Sequence, residues 1–292
     1  MMTKNKQALW LLLLVILLWS SAFVGIRFIM LDISSGGALA LGRYFVASIA
    51  IIIPFVLLKN KVRPSWCDLC GFFVLGFFGF FIYNVFLNQG ERTVSAGIAN
   101  FIVSQLPIIV AVIALLFFNE RVNIKGIFGF ILSLIGVSLI MLSESDLQLS
   151  GGIALIYIAT FAGAIYSVSQ KFFLKRYHPI EVIAYSIWFG TALLLYYLPE
   201  AVVAFKNTSA LSLVVIVYMG IFPGVIAYVL WGYAFKHVIA AVASSFLYLM
   251  PLFSLVLGWL FLAEVAKEMA IIGGIVAVCG SIIISRFGVR RA

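Results

Sequence analysis

The polar side chains of this chain are few and stand in long apolar runs, so each is a candidate for work. Asn100, Ser104 and Pro107 fall at i, i+4 and i+7, which is one face of a helix. Ser244, Tyr248 and Pro251 repeat that spacing 144 residues later. Asn84 and Asn88, with Tyr83 beside them, share a second face, and the matching later stretch offers Tyr228 and Trp231. Trp19 and Ser20 mark an early segment, and Tyr166 and Gln170 a later one. Polar groups are expensive in hydrocarbon and tend to face a cavity or a partner helix. Neutral hydrogen-bonding groups among aromatic rings suit reversible recognition of a small amphipathic solute. Arg43 adds a guanidinium, whose planar fork matches a carboxylate. The competing reading of each Ser and Asn is a bond between helices, and that of Arg27 and Arg43 is snorkelling or pairing with Asp32.

The same inventory excludes other chemistry. The ten acidic residues, Asp32, Asp68, Glu91, Glu120, Glu144, Asp146, Glu181, Glu200, Glu264 and Glu268, lie at or near segment ends, and His178 and His237 fall in connectors. No Ser/His, paired-Asp or metal-ligand constellation stands at mid-depth, so the chain reads as no enzyme, with no cofactor and no metal. Cys67 and Cys70 form a lone C-x-x-C without two further zinc ligands nearby. No phosphate-binding loop of the Walker type is present. A proton-coupled carrier usually buries a carboxylate or histidine in its pathway; lacking one, the chain reads as a facilitator or exchanger.

These residues must be positioned by membrane helices. Of 292 residues 65% are hydrophobic and 10% charged, with mean hydropathy +1.21. A soluble domain is roughly 45–50% apolar and about 25% charged. Continuous apolar runs rather than short alternating ones select helices over a barrel. Ten spans are expected, near 7–31, 37–58, 67–89, 93–118, 126–143, 151–174, 180–198, 211–235, 241–262 and 269–286. The run Leu11–Trp19 continues to Leu31 and reads as a first helix rather than a cleaved signal. With both termini cytoplasmic, fourteen Lys and Arg fall inside and three (Arg92, Lys206, Lys267) outside. The net charge of +9 thus follows segment ends and not a nucleic-acid patch. The expected setting is the cytoplasmic (inner) membrane, with lipid and a small molecule as partners, no nucleic acid, and a monomer or homodimer.

The chain also repeats itself. Shifted by 144 residues, Gly76 meets Gly220, Ala96 meets Ala240, Pro107 meets Pro251, Glu120 meets Glu264, and Gly129 and Gly136 meet Gly273 and Gly280. Residues 1–143 and 151–286 are then two five-helix repeats. An odd helix count inverts the second one, an architecture of secondary transporters with the site between the halves. Pro107, Pro223 and Pro251 read as bends, the first and last as flex points.

Trp19-Ser20-Ser21-Ala22-Phe23, the run Ala96, Ala99, Pro107, Glu120, Gly136 and its copy Ala240, Ala243, Pro251, Glu264, Gly280 resemble the EamA-type transporters of the drug/metabolite transporter superfamily. Ser20 stands where that family often has Gly. The resemblance covers nearly the whole chain. It implies an all-α membrane protein of ten transmembrane helices in two inverted repeats, exporting amino acids or similar zwitterions by alternating access. It leaves open an importer of nucleotide-like or vitamin-like compounds. A non-transporting receptor or assembly factor is the alternative of another class.

Overall fold

A computed structural model describes residues 4–30, 33–93, 96–118, 120–143, 151–206, 208–262 and 267–291. Asp32, the loop Glu144-Ser145-Asp146 and Glu264 lie outside the described residues, as do the side chains of Arg27 and Glu120.

The apolar runs fold as helices because a backbone among apolar groups must satisfy its own N–H and C=O groups. They are α1 (Lys4–Ile29), α2 (Gly36–Ala50), α3 (Ile52–Leu57), α4 (Trp66–Gly76), α5 (Tyr83–Glu91), α6 (Ala96–Val103), α7 (Leu106–Phe118) and α8 (Ile124–Ser143). The second half holds α9 (Gly151–Leu174), α10 (Pro179–Leu194), α11 (Leu198–Lys206), α12 (Ala210–Ile221), α13 (Ala227–His237), α14 (Ala240–Ser245), α15 (Met250–Leu262) and α16 (Glu268–Ile283). Polar residues set the starts. Ser35 caps α2, and Ser65 with Asp68 forms a capping box on α4. His178, Pro179 and Glu181 open α10, and Ser209 opens α12. Among the described residues six spans are long and apolar enough to cross a membrane: Gln7–Ile26, Gly36–Leu57, Trp66–Glu91, Gly151–Leu174, Pro179–Lys206 and Ala210–His237.

The helix breaks obey the repeat. A π-turn, Phe77–Ile82, joins α4 to α5, and a second, Phe222–Ile226, joins α12 to α13. Tyr83 and Ala227, 144 apart, donate their N–H groups to Phe78 and Phe222, also 144 apart. In the other break, α6 stops at Val103 and α7 starts at Leu106, while a 3-10 turn, Phe246–Leu249, separates α14 from α15. Pro107 and Pro251 follow at the second residue of α7 and α15. There the missing proline N–H has no helical bond to lose. Each proline thus starts a helix rather than kinking one.

The halves are interleaved. α1 packs on α13 and α15 of the second half, and its repeat mate α9 packs on α5 and α7 of the first. α2 packs on α12 as α10 packs on α4. This reciprocity is the signature of a two-fold relation between like units. α8 and α16, mates of each other, cross antiparallel: Gly129 faces Gly280 and Gly136 faces Gly273. A methyl group on Gly273 would stand 2.5 Å from the Gly136 carbonyl oxygen, so neither helix tolerates a side chain at the crossing. The repeat is therefore inverted.

One element was not expected. Residues 120–122 and 289–291, read from the sequence as connector and tail, pair as an antiparallel ribbon of β1 (Glu120–Val122) and β2 (Val289–Arg291). The ribbon puts the C-terminal end of α7 on the same face as the chain's end.

Candidate functional site

A cavity lies where the halves meet. Much of its lining comes as repeat mates: Trp19 with Gly163, Ala22 with Tyr166, Phe23 with Ser167, Asn84 with Tyr228, Leu87 with Trp231, Val103 with Leu247, and Leu106 with Met250. The cavity therefore straddles the pseudo-two-fold axis. Ile26, Gly79, Arg43, Tyr44 and Tyr83 complete the wall. The cavity volume is about 70 Å³, roughly five waters' worth, which is the scale of a small solute.

Five of the mated pairs combine a large aromatic with a smaller residue, and four of these aromatics, Trp19, Tyr166, Tyr228 and Trp231, pack together. The Trp19 ring lies 5.2 Å from Tyr228 and 5.0 Å from Trp231; Phe80 lies 4.8 Å from Tyr228 and 5.5 Å from Tyr166. These are the offset and edge contacts that aromatic quadrupoles favour. The π-turns set the wall. A π-turn loosens the helical ladder, and both turns recruit a side-chain donor at the same carbonyl. Asn84 Nδ2 donates to Gly79 O at 3.2 Å and Phe80 O at 3.1 Å. Trp19 Nε1 donates to Pro223 O at 3.2 Å, and Pro223 is the mate of Gly79. Gly79 is required by close approach: a Cβ there would lie 2.6 Å from Cγ of Tyr166.

Polarity in the cavity is sparse. Asn84 is fully engaged, because its Oδ1 also accepts from Tyr44 Oη at 3.1 Å. Arg43 is 5% exposed and its Nε has no hydrogen-bond partner. Its mate, Ile187, does not reach the cavity, so the charge breaks the symmetry. Tyr166 Oη and Trp231 Nε1 are also buried without partners.

Of the fourteen residues singled out by sequence, Trp19, Arg43, Tyr83, Asn84, Tyr166, Tyr228 and Trp231 line this cavity. The other seven do not. Ser20 bonds across to Met250 O at 3.2 Å, and Asn88 to Gly36 O at 3.0 Å. Ser244 bonds Ala241 O within its own helix at 3.3 Å, and Tyr248 packs on Phe130 beside α8 and α16. Asn100 and Ser104 are buried on α6 and in the break after it. Gln170 is wholly buried one turn beyond Tyr166, with both amide atoms unpartnered. Sequence reasoning passed over Tyr44 and Phe80, although Tyr44 adjoins Arg43 and Phe80 stands in a dense aromatic run.

At the face where α1 begins, Asp68 accepts from Tyr177 Oη at 2.7 Å and Arg176 Nη1 at 3.0 Å. Glu181 accepts from the Val62 N–H at 2.7 Å. Burial and the bond to Asp68 push the Tyr177 hydroxyl up to about 12.

The EamA-like transporter family matches this chain twice, over residues 6–142 and 150–286. The chain belongs to the EamA-like transporter family. The uncharacterized transporter YdfC of Bacillus subtilis (strain 168) is 37% identical over 91% of this chain and 87% of its own length. A probable terminal-alkyne amino-acid exporter of Streptantibioticus cattleyicolor is 32% identical over 99% of this chain and 97% of its own. A solved crystal structure superposes with a TM-score of 0.77 at 18% identity, covering 96% of both chains, and shares the fold. The protein is a multi-pass, all-α EamA-like membrane protein, and its relatives are named as transporters.

Proposed function

We propose that the chain is a secondary transporter exporting small amphipathic metabolites, amino acids or similar zwitterions, across the cytoplasmic membrane by alternating access. The observation that carries this reading is the aromatic, sparsely polar cavity on the pseudo-two-fold axis. In inverted-repeat carriers the site lies at the repeat interface, and rocking of the halves opens it to either side. Here every wall of that site joins elements of both halves, so such rocking would dismantle and rebuild it.

The ten helical stretches are read as ten transmembrane passes with both termini cytoplasmic, since the positive residues crowd that side. The cavity's size favours amino acids over nucleotide-like compounds. Its one guanidinium would leave a di- or triphosphate largely unbalanced in an apolar wall. The amino-acid exporter among the relatives supports the same substrate class. The substrate contacts are assigned to the cavity residues Trp19, Arg43, Tyr83, Tyr166, Tyr228 and Trp231. Transport is read as exchange or facilitated diffusion, by a monomer or homodimer in lipid.

Counterflow in proteoliposomes tests this. Vesicles preloaded in turn with each unlabelled amino acid, nucleotide or vitamin are diluted into the labelled solute. Transient accumulation of at least one neutral amino acid is expected. Counterflow only of nucleotides, or of no solute, sinks the reading.

A further inference from the structure

The inverted symmetry makes the two ends of the cavity chemically unlike. Trp231 has Leu87 as its mate, and Tyr166 has Ala22, so the aromatic partner of each pair stands toward the face where α1 begins. The opposite end holds Leu87, Ala22, Phe23, Tyr44 and Arg43, the last two turns inside α2 from its start at Gly36, so it is the end that carries the charge. Arg43 is the lone charged residue of the lining among the described residues. Its buried Nε is a donor with nothing to bond, and an unsatisfied charged donor in an apolar site is costly. Glu91 on α5 is the carboxylate whose field reaches Arg43, and it lies outside the lining. Among the described residues no acidic side chain lines the aromatic end to balance a cation, but the rings of Trp19, Tyr228 and Trp231 cluster there, Trp19 standing 5.2 Å from Tyr228 and 5.0 Å from Trp231. Aromatic faces attract an ammonium group by their quadrupole. The Tyr166 hydroxyl, free of partners, is an acceptor for it.

We infer that the cavity holds an α-amino acid in one fixed orientation, with its carboxylate on Arg43 and its ammonium group against the Trp19–Tyr228–Trp231 cluster. The inference rests on the transport reading above and adds the division of labour. Arg43 reads the anion, the aromatic end reads the cation, and a second positive charge on the substrate finds nothing to balance it. Asn84, with its amide fully engaged, braces the wall and takes no part in recognition.

The test is calorimetric binding of three related probes to the purified full-length protein in detergent. They are L-leucine, isoamylamine (leucine without its carboxylate) and 4-methylpentanoate (leucine without its ammonium group). Arg43→Gln is expected to weaken leucine and 4-methylpentanoate by about 10- to 100-fold, the worth of a charge-assisted bond. The same change leaves isoamylamine unchanged or tighter, since it removes a cation from the site. Trp231→Leu, which installs the residue of its repeat mate, is expected to weaken leucine and isoamylamine and to spare 4-methylpentanoate. Arg43→Lys keeps the charge in a stable chain and is expected to retain part of the leucine affinity. If Arg43 only offsets Glu91 within the fold, Arg43→Gln lowers or spares all three probes alike, and the inference is overturned. A wild-type protein that binds no neutral α-amino acid overturns the transport reading instead.

Discussion

Asn84 is the residue whose replacement separates bracing from binding most cleanly. Its amide makes three bonds: two to the carbonyls of the Phe77–Ile82 π-turn and one from Tyr44 on α2. Interhelical hydrogen bonds in membrane proteins average about 0.6 kcal/mol and reach about 1.7 kcal/mol. The two carbonyl bonds add about 0.5–1.5 kcal/mol each. Asn84→Ala should therefore destabilise the fold by about 2–4 kcal/mol. Tyr44→Phe removes only the bond between helices. A double-mutant cycle should return a coupling of about 1 kcal/mol. The assay is reversible unfolding in mixed micelles with increasing sodium dodecyl sulfate, followed by circular dichroism. An Asn84→Ala protein as stable as the wild type, or a coupling indistinguishable from zero, refutes the bracing role and returns Asn84 to the substrate contacts.

Two further expectations follow from the packing and the caps. Gly136→Leu puts a side chain into the antiparallel crossing with Gly273 and Ala277 and should cost about 1–3 kcal/mol or more; Ile135→Leu, on the exposed side of α8, is the control expected to change nothing in thermal unfolding. His178 accepts from the Ile180 N–H through Nδ1, and burial, then Lys236, holds its pKa below the ordinary 6.5. The folded state keeps it neutral while the unfolded chain takes up a proton, so its contribution is full above about pH 6.5 and lost as pH falls below. His178→Ser puts a capping oxygen in place of Nδ1 and does not titrate. It should flatten the loss of thermal stability between pH 7 and pH 5, and an unchanged slope counts against the assignment.

The spacing of 144 residues was legible in the sequence because Pro107 and Pro251 stand at the same distance from Glu120 and Glu264. It led to the inverted halves and to a site between them. It could not say that α1 would lie on α13 and α9 on α5, because the apolar runs of all these helices look alike and only packing chooses among them. The prolines misled locally: each begins a helix after a break instead of bending one. Within the site, Asn84 and Asn88 share a helical face, yet one lines the cavity and the other is spent on Gly36 O. The hydrogen-bonding capacity of an amide is written in its residue type, but the carbonyl that consumes it belongs to another helix. The π-turns are invisible to a 3.6-residue period, and an extra residue per turn rotates everything beyond it. That rotation is what brings Tyr228 and Trp231 beside Trp19.

The interleaving of the halves has a consequence for biosynthesis. α1, α2 and α5 leave the ribosome well before α13, α12 and α9, the partners on which they pack, have been made. The helices of the first half are therefore made with these contact faces uncovered, α2 with its Arg43 among them. They gain a shared core only as the later helices thread in between. A chain cut short within the second half therefore lacks the helices that would cover those faces.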